Sequence, residues 1–195
     1  MKWAYGVTTV PRRRDDLFPK TLASLAAAGF DKPRIFADGC DTKDEQWYKD
    51  RFGLEVTAHW PMIRTYGNWV LSLAELYIRE PDAERYALFQ DDFITYRNLK
   101  KYLEKCSYPE RGYWNLYTFP ANQELAKRVG LTARCEEGWY LSNQFGRGAV
   151  ALVFNRETVL TLITHQHMVD RPMDAHRGWK AVDGGVVTAL KKAGW

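Results

Sequence analysis

The chain has 195 residues, 46% hydrophobic and 14% aromatic, which is enough apolar side chain for one substantial core and too little length for several. No run reaches the roughly 18 consecutive apolar residues that span a bilayer, and the apolar segment ahead of the arginines in MKWAYGVTTVPRRR is too short for a signal peptide, so a single domain over residues 1–195 in the cytoplasm is expected. A net charge of +4 suits an anionic ligand but is too small to diagnose nucleic-acid binding, and Cys40, Cys106 and Cys135, with no C-x-x-C among them, indicate neither a disulfide framework nor a zinc site.

YGVTTV (5–10) is β-branched and aromatic and reads as a strand ended by Pro11 and three arginines. Asp15 or Asp16 then caps a helix whose Pro19 sits in the tolerant first turn and which Gly29 stops. RIFADG (34–39) is a second strand, so the first fifty residues form a βαβ unit. Such a unit implies a parallel sheet with ligands at the carboxyl ends of its strands.

Residues 41–53 read as a charged helix and LEVTAHW (54–60) as a third strand. GNWVLSLAELYIRE (67–80) carries Trp69, Leu73, Leu76 and Tyr77 at helical spacing. The strand YALFQ precedes two carboxylates and a helix near 97–105, and YWNLYTF (113–119) is a further strand candidate. A short helical stretch is expected at 122–129. GAVALVF (148–154) is a continuous apolar run fit for a central strand, followed by a helix, RETVLTLI (156–163). Asp183 is expected to cap a last helix, GGVVTALKKA, ended by Gly194. The alternation predicts an α/β fold with a central, mostly parallel sheet flanked by helices.

Asp91 and Asp92, at the end of an apolar strand, pose the main chemical question. Adjacent carboxylates with no obvious partner are costly to bury unless a cation neutralises them. Magnesium, which takes one or two carboxylates and leaves its other positions to water and phosphates, would do so, as would manganese. The alternative is that the pair caps the next helix or sits in solvent.

In order and spacing, "GVTTVPRRRDDLFPKTLASLAAAGF", "RIFADG", "GNWVLSLAELY", "YALFQDDF", "GAVALVFNRETVLTLI" and "VDGGVVTALKKAG" resemble the GT-A fold glycosyltransferases, especially the family 2-like enzymes. The resemblance implies a Rossmann-like nucleotide-sugar binding fold. Thr8, Thr9, Val10, Pro11 and Arg12 would cradle base and ribose, Asp38 would contact the base, and Asn68 would lie close to the nucleotide. Gln90, Asp91 and Asp92 match the acidic D-x-D triplet, with Asp92 as the direct ligand of Mn2+ or Mg2+ and Asp91 second. Gln90 departs from the pattern, since an amide brings no charge.

The activity so implied is metal-dependent transfer of a sugar from a nucleotide donor, a UDP-sugar, to a hydroxyl acceptor with inversion. The acceptor would be a glycan or, as a minority option, a hydroxymethylated DNA base. Glycosyl transfer passes through an oxocarbenium-like state while the metal steadies the departing diphosphate. Arg12 or Arg64 could add phosphate contacts, whereas Arg13 and Arg14 read equally well as a solvated basic turn. Asp183 matches the family's general base, with Asp174 in reserve.

His165, His167 and His176 read as surface histidines, because "HQH" shares a face only when extended and no third ligand has zinc spacing. A metal-binding histidine that members of this fold place near the C-terminus is absent here, supplied by one of these three, or lost by truncation. Trp139, Tyr140 and Trp179 could flank the acceptor or simply pack, and the glycines of "FGRGAV" suit either a donor sugar or close strands. Two other readings are a nucleotidyltransferase making sugar nucleotides, whose glycine-rich, lysine-bearing signature "VTTVPRRRDD" lacks, and a noncatalytic nucleotide-sugar binding module.

Overall fold

The computed structural model describes residues 1–117, 139, 148–170 and 181–195. Four strands, β1 (Trp3–Thr9), β2 (Arg34–Asp38), β3 (Val56–His59) and β4 (Arg85–Gln90), run parallel. They continue into β6 (Ala151–Asn155), antiparallel to β4, and the short β5 (Trp114–Asn115), antiparallel to β6. The six-stranded order is β3-β2-β1-β4-β6-β5. The apolar run at 148–154 is therefore a central strand, as expected, but it reverses direction, so its first residues lie beside the carboxyl end of β4.

Helices cover both faces, which is why the inner strands read as nearly unbroken apolar runs. Side chains alternate across the sheet: Ile35, Ala37, Ala87 and Phe89 meet Phe18 and Leu25 of α1 (Leu17–Ala28), Tyr48 of α2 (Thr42–Phe52) and Leu103 of α4 (Leu99–Leu103). On the other face Phe36, Leu88 and Phe154 meet Trp69 and Leu73 of α3 (Arg64–Arg79), Leu162 of α5 (Arg156–Thr164), Met168 of α6 (Gln166–Val169) and Val186 of α7 (Val182–Lys192).

Helix ends follow their caps. Gly29, at φ 97°, stops α1, while the Asp41 carboxylate accepts from the Lys43 and Asp44 N–H groups to start α2. Asp16 occupies the cap position of α1 without a capping hydrogen bond, its carboxylate being taken by Lys20 at 2.7 Å. α3 begins a turn earlier than its periodicity predicts, at Arg64, which adopts φ 69°. The final helix also starts earlier, at Val182, so Asp183 is not its cap; it lies inside the first turn. The expected helix at 122–129 falls outside the described residues.

One contact in the sheet is tight enough to test. Gly6 of β1 faces the Phe36 ring, and a Cβ there would sit 2.9 Å from the Arg34 carbonyl oxygen and closer still to that ring. Gly6→Ala is expected to destabilise the fold by about 1–3 kcal/mol, the usual cost of overpacking. The check is a lower urea midpoint at unchanged m-value.

Candidate functional site at the carboxyl edge

The chain leaves β1 towards β2 and β3 on one side and later places β4 on the other, so the loops after β1 and β4 diverge at a topological switch point. In open α/β sheets that crevice is where ligands bind. Thr8 pairs with Gln90 in register, which sets Thr9 and Asp91 side by side just above the pair.

There the Thr9 hydroxyl donates to Asp91 Oδ2 at 2.7 Å. After Val10, the 3-10 turn Pro11–Arg13 folds the chain back, with the Arg13 N–H bonded to the Val10 carbonyl at 3.0 Å. This turn swings the Arg13 side chain over β4, where Nη1 donates to Asp91 Oδ1 at 2.6 Å and to Asp92 Oδ2 at 3.2 Å. From α1, the Thr21 hydroxyl donates to the Asp91 carbonyl at 2.7 Å. Asp91 is thus buried and fully engaged, its side chain 5% exposed, while Asp92 is 39% exposed.

The expectation that the pair lacked a protein partner is corrected by this geometry. Arg13, read as a basic turn residue, is the cation that holds both carboxylates. Its own burial works against the charge, but the hydrogen bond and field of Asp91, then of Asp92, raise its pKa above the usual arginine value. Nothing in the sequence told Arg13 from its neighbours. Arg14 turns away to Asp44 at 2.7 Å and lies over the Trp47 ring at 4.6 Å, and Arg12 is exposed with no ion pair or hydrogen bond among the described residues.

The other predicted residues divide sharply. Thr8 donates to the Phe89 carbonyl at 3.3 Å, and Val10 and Pro11 form the half-buried turn beside the crevice. The buried Asp38 carboxylate accepts from the Ile63 N–H at 2.8 Å, and the His59 carbonyl accepts from the Gly39 and Cys40 N–H groups, pinning the loop after β3 to the end of β2. Asn68 is buried, with Oδ1 2.7 Å from His59 Nδ1 and Nδ2 donating to the Phe36 carbonyl at 3.3 Å. These groups fix the edge.

Gln90 Nε2 donates to the Ala149 carbonyl at 3.1 Å, joining β4 to the approach of β6. Cys40 is buried beneath this edge; burial first, then the charges of Asp44, Glu45 and Asp41, push its thiol up to about 12, which makes it a poor nucleophile.

Asp183, the expected base, is 5% exposed and accepts from its own Gly184 N–H at 2.8 Å. Its charge reaches the Tyr113 hydroxyl, whose pKa is raised by burial first and by Asp183 second. As placed, Asp183 is not an accessible base. Nor is the His165–His167 segment extended throughout: His165 Nδ1 accepts from the His167 N–H at 3.0 Å and caps α6, in which Gln166 and His167 are helical. Trp139 stacks on Trp114 at 5.5 Å and packs against the core. Gly148, at φ 111°, lies close to Tyr117 and Asn115, so close strand packing accounts for it. Asp174, His176, Trp179 and Tyr140 lie outside the described residues.

Periodicity also passed over Trp60, which stands 70% exposed on the pinned loop beside the exposed Met62. The available signal was an aromatic residue immediately before Pro61; the predicted strand took it in as its last residue, whereas β3 ends at His59. Among the described residues, no group of three or more His, Cys, Asp or Glu side chains is arranged to hold a metal ion, and no helix is long and apolar enough to cross a membrane.

No family model matches the chain, and no curated protein matches it in sequence. Among solved structures it is similar to mannose-1-phosphate geranyltransferase from Thermus thermophilus, at 16% identity and a TM-score of 0.46, over 97% of this chain and 68% of that one. It is also similar to 4-diphosphocytidyl-2C-methyl-D-erythritol synthase, at 10% identity and 0.48, over 97% and 85%. A third is a protein assigned as glucose-1-phosphate thymidylyltransferase from Bacillus anthracis, solved with a sucrose, at 9% identity and 0.47, over 97% and 84%.

The expectation of glycosyl transfer is corrected here. None of these three structures carries a glycosyltransferase name, and within this chain Asp91 is bonded to Thr9 and Arg13 while Asp183 is buried.

The asymmetry between the two aspartates has a measurable consequence. Asp91→Asn should cost about 2 kcal/mol, less than the 3–5 of a fully enclosed pair because Arg13 is a third exposed. Asp92→Asn, at the surface, should cost less than about 1 kcal/mol. Thermal or chemical denaturation of the two variants side by side measures the difference.

Proposed function

We propose that the chain binds the phosphates of a nucleotide in the crevice between β1 and β4 and acts as a transferase of the nucleotidyl type, joining the nucleotide to a phosphorylated small molecule. The observation that carries this reading is the cationic turn at the switch point: Arg12 is unpartnered among the described residues, and Arg13 uses only Nη1 on the carboxylates. Its Nε and Nη2 make no hydrogen bond among the described residues, so their three N–H donors remain for phosphate oxygens. Arg64 is exposed at the same edge, at the start of α3, where the helix N-terminus also favours an anion.

The chemistry suits these residues. A hydroxyl acceptor needs a base to remove its proton, whereas a phosphomonoester, with a second pKa of about 6, is already a strong oxyanion at neutral pH. Attack of that oxygen on the α-phosphorus of a nucleoside triphosphate releases pyrophosphate and requires no carboxylate base. What it requires is positive charge to bring two anions together and steady the leaving group, and the arginines supply it. The burial of Asp183 is thereby accommodated. Trp60 offers a flat face on which a nucleobase could stack, an interaction worth about 1–3 kcal/mol.

A binding module without turnover is the second reading, favoured by the lack of glycine and lysine in VTTVPRRRDD. Incubation with a panel of nucleoside triphosphates and sugar 1-phosphates, followed for pyrophosphate release, separates the two; bound nucleotide without pyrophosphate selects the module. Arg12→Ala should weaken nucleotide binding about tenfold or more, as loss of a charge-assisted contact does, while shifting stability by no more than about 0.5 kcal/mol. Calorimetric titration of wild type and variant checks it, and absence of any nucleotide binding by the wild type at millimolar concentration ends the proposal.

A further inference from the structure

The metal implied by the D-x-D resemblance can be tested against the residues that would hold it. Asp91 has Oδ2 bonded to Thr9 and Oδ1 to Arg13, and Asp92 Oδ2 also meets Arg13. A divalent ion takes several oxygen ligands and is repelled by a cation already seated among them. Here one guanidinium already sits between the two carboxylates, Gln90 brings no charge, and no third acidic or histidine side chain among the described residues completes a set. The donor set does not fit the ion.

We infer that Asp91 and Asp92 form a seat for the Arg13 guanidinium, and that Arg13 takes the place a divalent cation would otherwise hold, presenting its remaining N–H donors to phosphate. The geometry supports both halves. A cation bound to a protein carboxylate pair must lie within bonding distance of both groups; Arg13 Nη1 already does, at 2.6 and 3.2 Å. A guanidinium is planar and permanently charged, so carboxylates on one edge leave the other edge oriented rather than free to rotate. The turn fixes where that edge is: Pro11 sets the backbone at its first position, and the Arg13 N–H closes it on Val10. The seat itself is independent of the proposed function; only the delivery of Arg13 to a phosphate rests on that reading.

The experiment uses the full chain and manganese chloride alone, with binding read by calorimetry and by loss of the free-ion paramagnetic resonance signal. Wild type should show no saturable site tighter than about 1 mM, the weak end of protein cation sites. Arg13→Gln vacates the seat and should bind manganese at least about tenfold more tightly than wild type, and Arg13→Gln with Asp92→Asn should lose that gain. If Arg13→Gln proves unfolded by circular dichroism, Arg13→Ala joined to Asp91→Asn and Asp92→Asn serves as the neutral control, and the wild-type titration decides. Saturable submillimolar binding by wild type that Asp92→Asn abolishes overturns the inference, as does a folded Arg13→Gln with no gain. A separate arm titrates nucleotide into wild type with and without a chelator. Equal affinity supports the role of Arg13 towards phosphate, and a chelator-dependent affinity overturns it. No nucleotide binding in either condition removes the proposed function and that delivery role, while the manganese result for the seat stands.

Discussion

The buried carboxylate of Asp91 organises the carboxyl edge of this sheet. A charge so enclosed is tolerated only when it is compensated and its lone pairs are used, and three elements converge to do this. β1 contributes the Thr9 hydroxyl, the turn after it contributes Arg13, and α1 contributes Thr21 to the adjacent carbonyl. The loops after β1 and β4 are therefore tied to each other by a specific ionic contact. The crevice has a defined floor because Asp91 cannot leave it without stranding Arg13.

Around that floor, several polar residues whose types suggest ligand contact are committed to holding the rim. Asp38 ties the loop after β3 to β2, Asn68 ties α3 to β3 and β2, and Gln90 secures the approach to β6. Side chains left facing outward include the cationic or aromatic Arg12, Arg64, part of Arg13 and Trp60, together with the carboxylates of Asp15, Asp16, Asp41 and Asp92. The arginines among them are the groups suited to gathering and orienting anions.

Much of the fold was legible because its signals are local or periodic. The βαβ opening, the glycine stop of α1 and the apolar runs of β4 and β6 all depend on burial and backbone conformation that single residues report. The direction of β6 was not legible, since an apolar run packs equally well either way and only its connection decides. Asp183 misled for a related reason: a capping aspartate and a first-turn aspartate differ by two positions, and helix ends are the least determined part of any pattern. The location of the site was readable from the acidic pair at the end of β4. Its chemistry was not, because the partner of that pair lies 78 residues away in sequence and is chosen by the geometry of a turn.

That turn has a consequence for how the site tolerates change. Successive residues of a 3-10 helix project about 120° apart, so three identical side chains reach three surroundings: water for Arg12, the aspartates for Arg13, and Asp44 with Trp47 for Arg14. Address here is conferred by angular phase and not by chemical identity. A one-residue insertion or deletion ahead of Pro11 would therefore rotate the assignments, handing each arginine its neighbour's post while the amino-acid inventory of the segment scarcely altered.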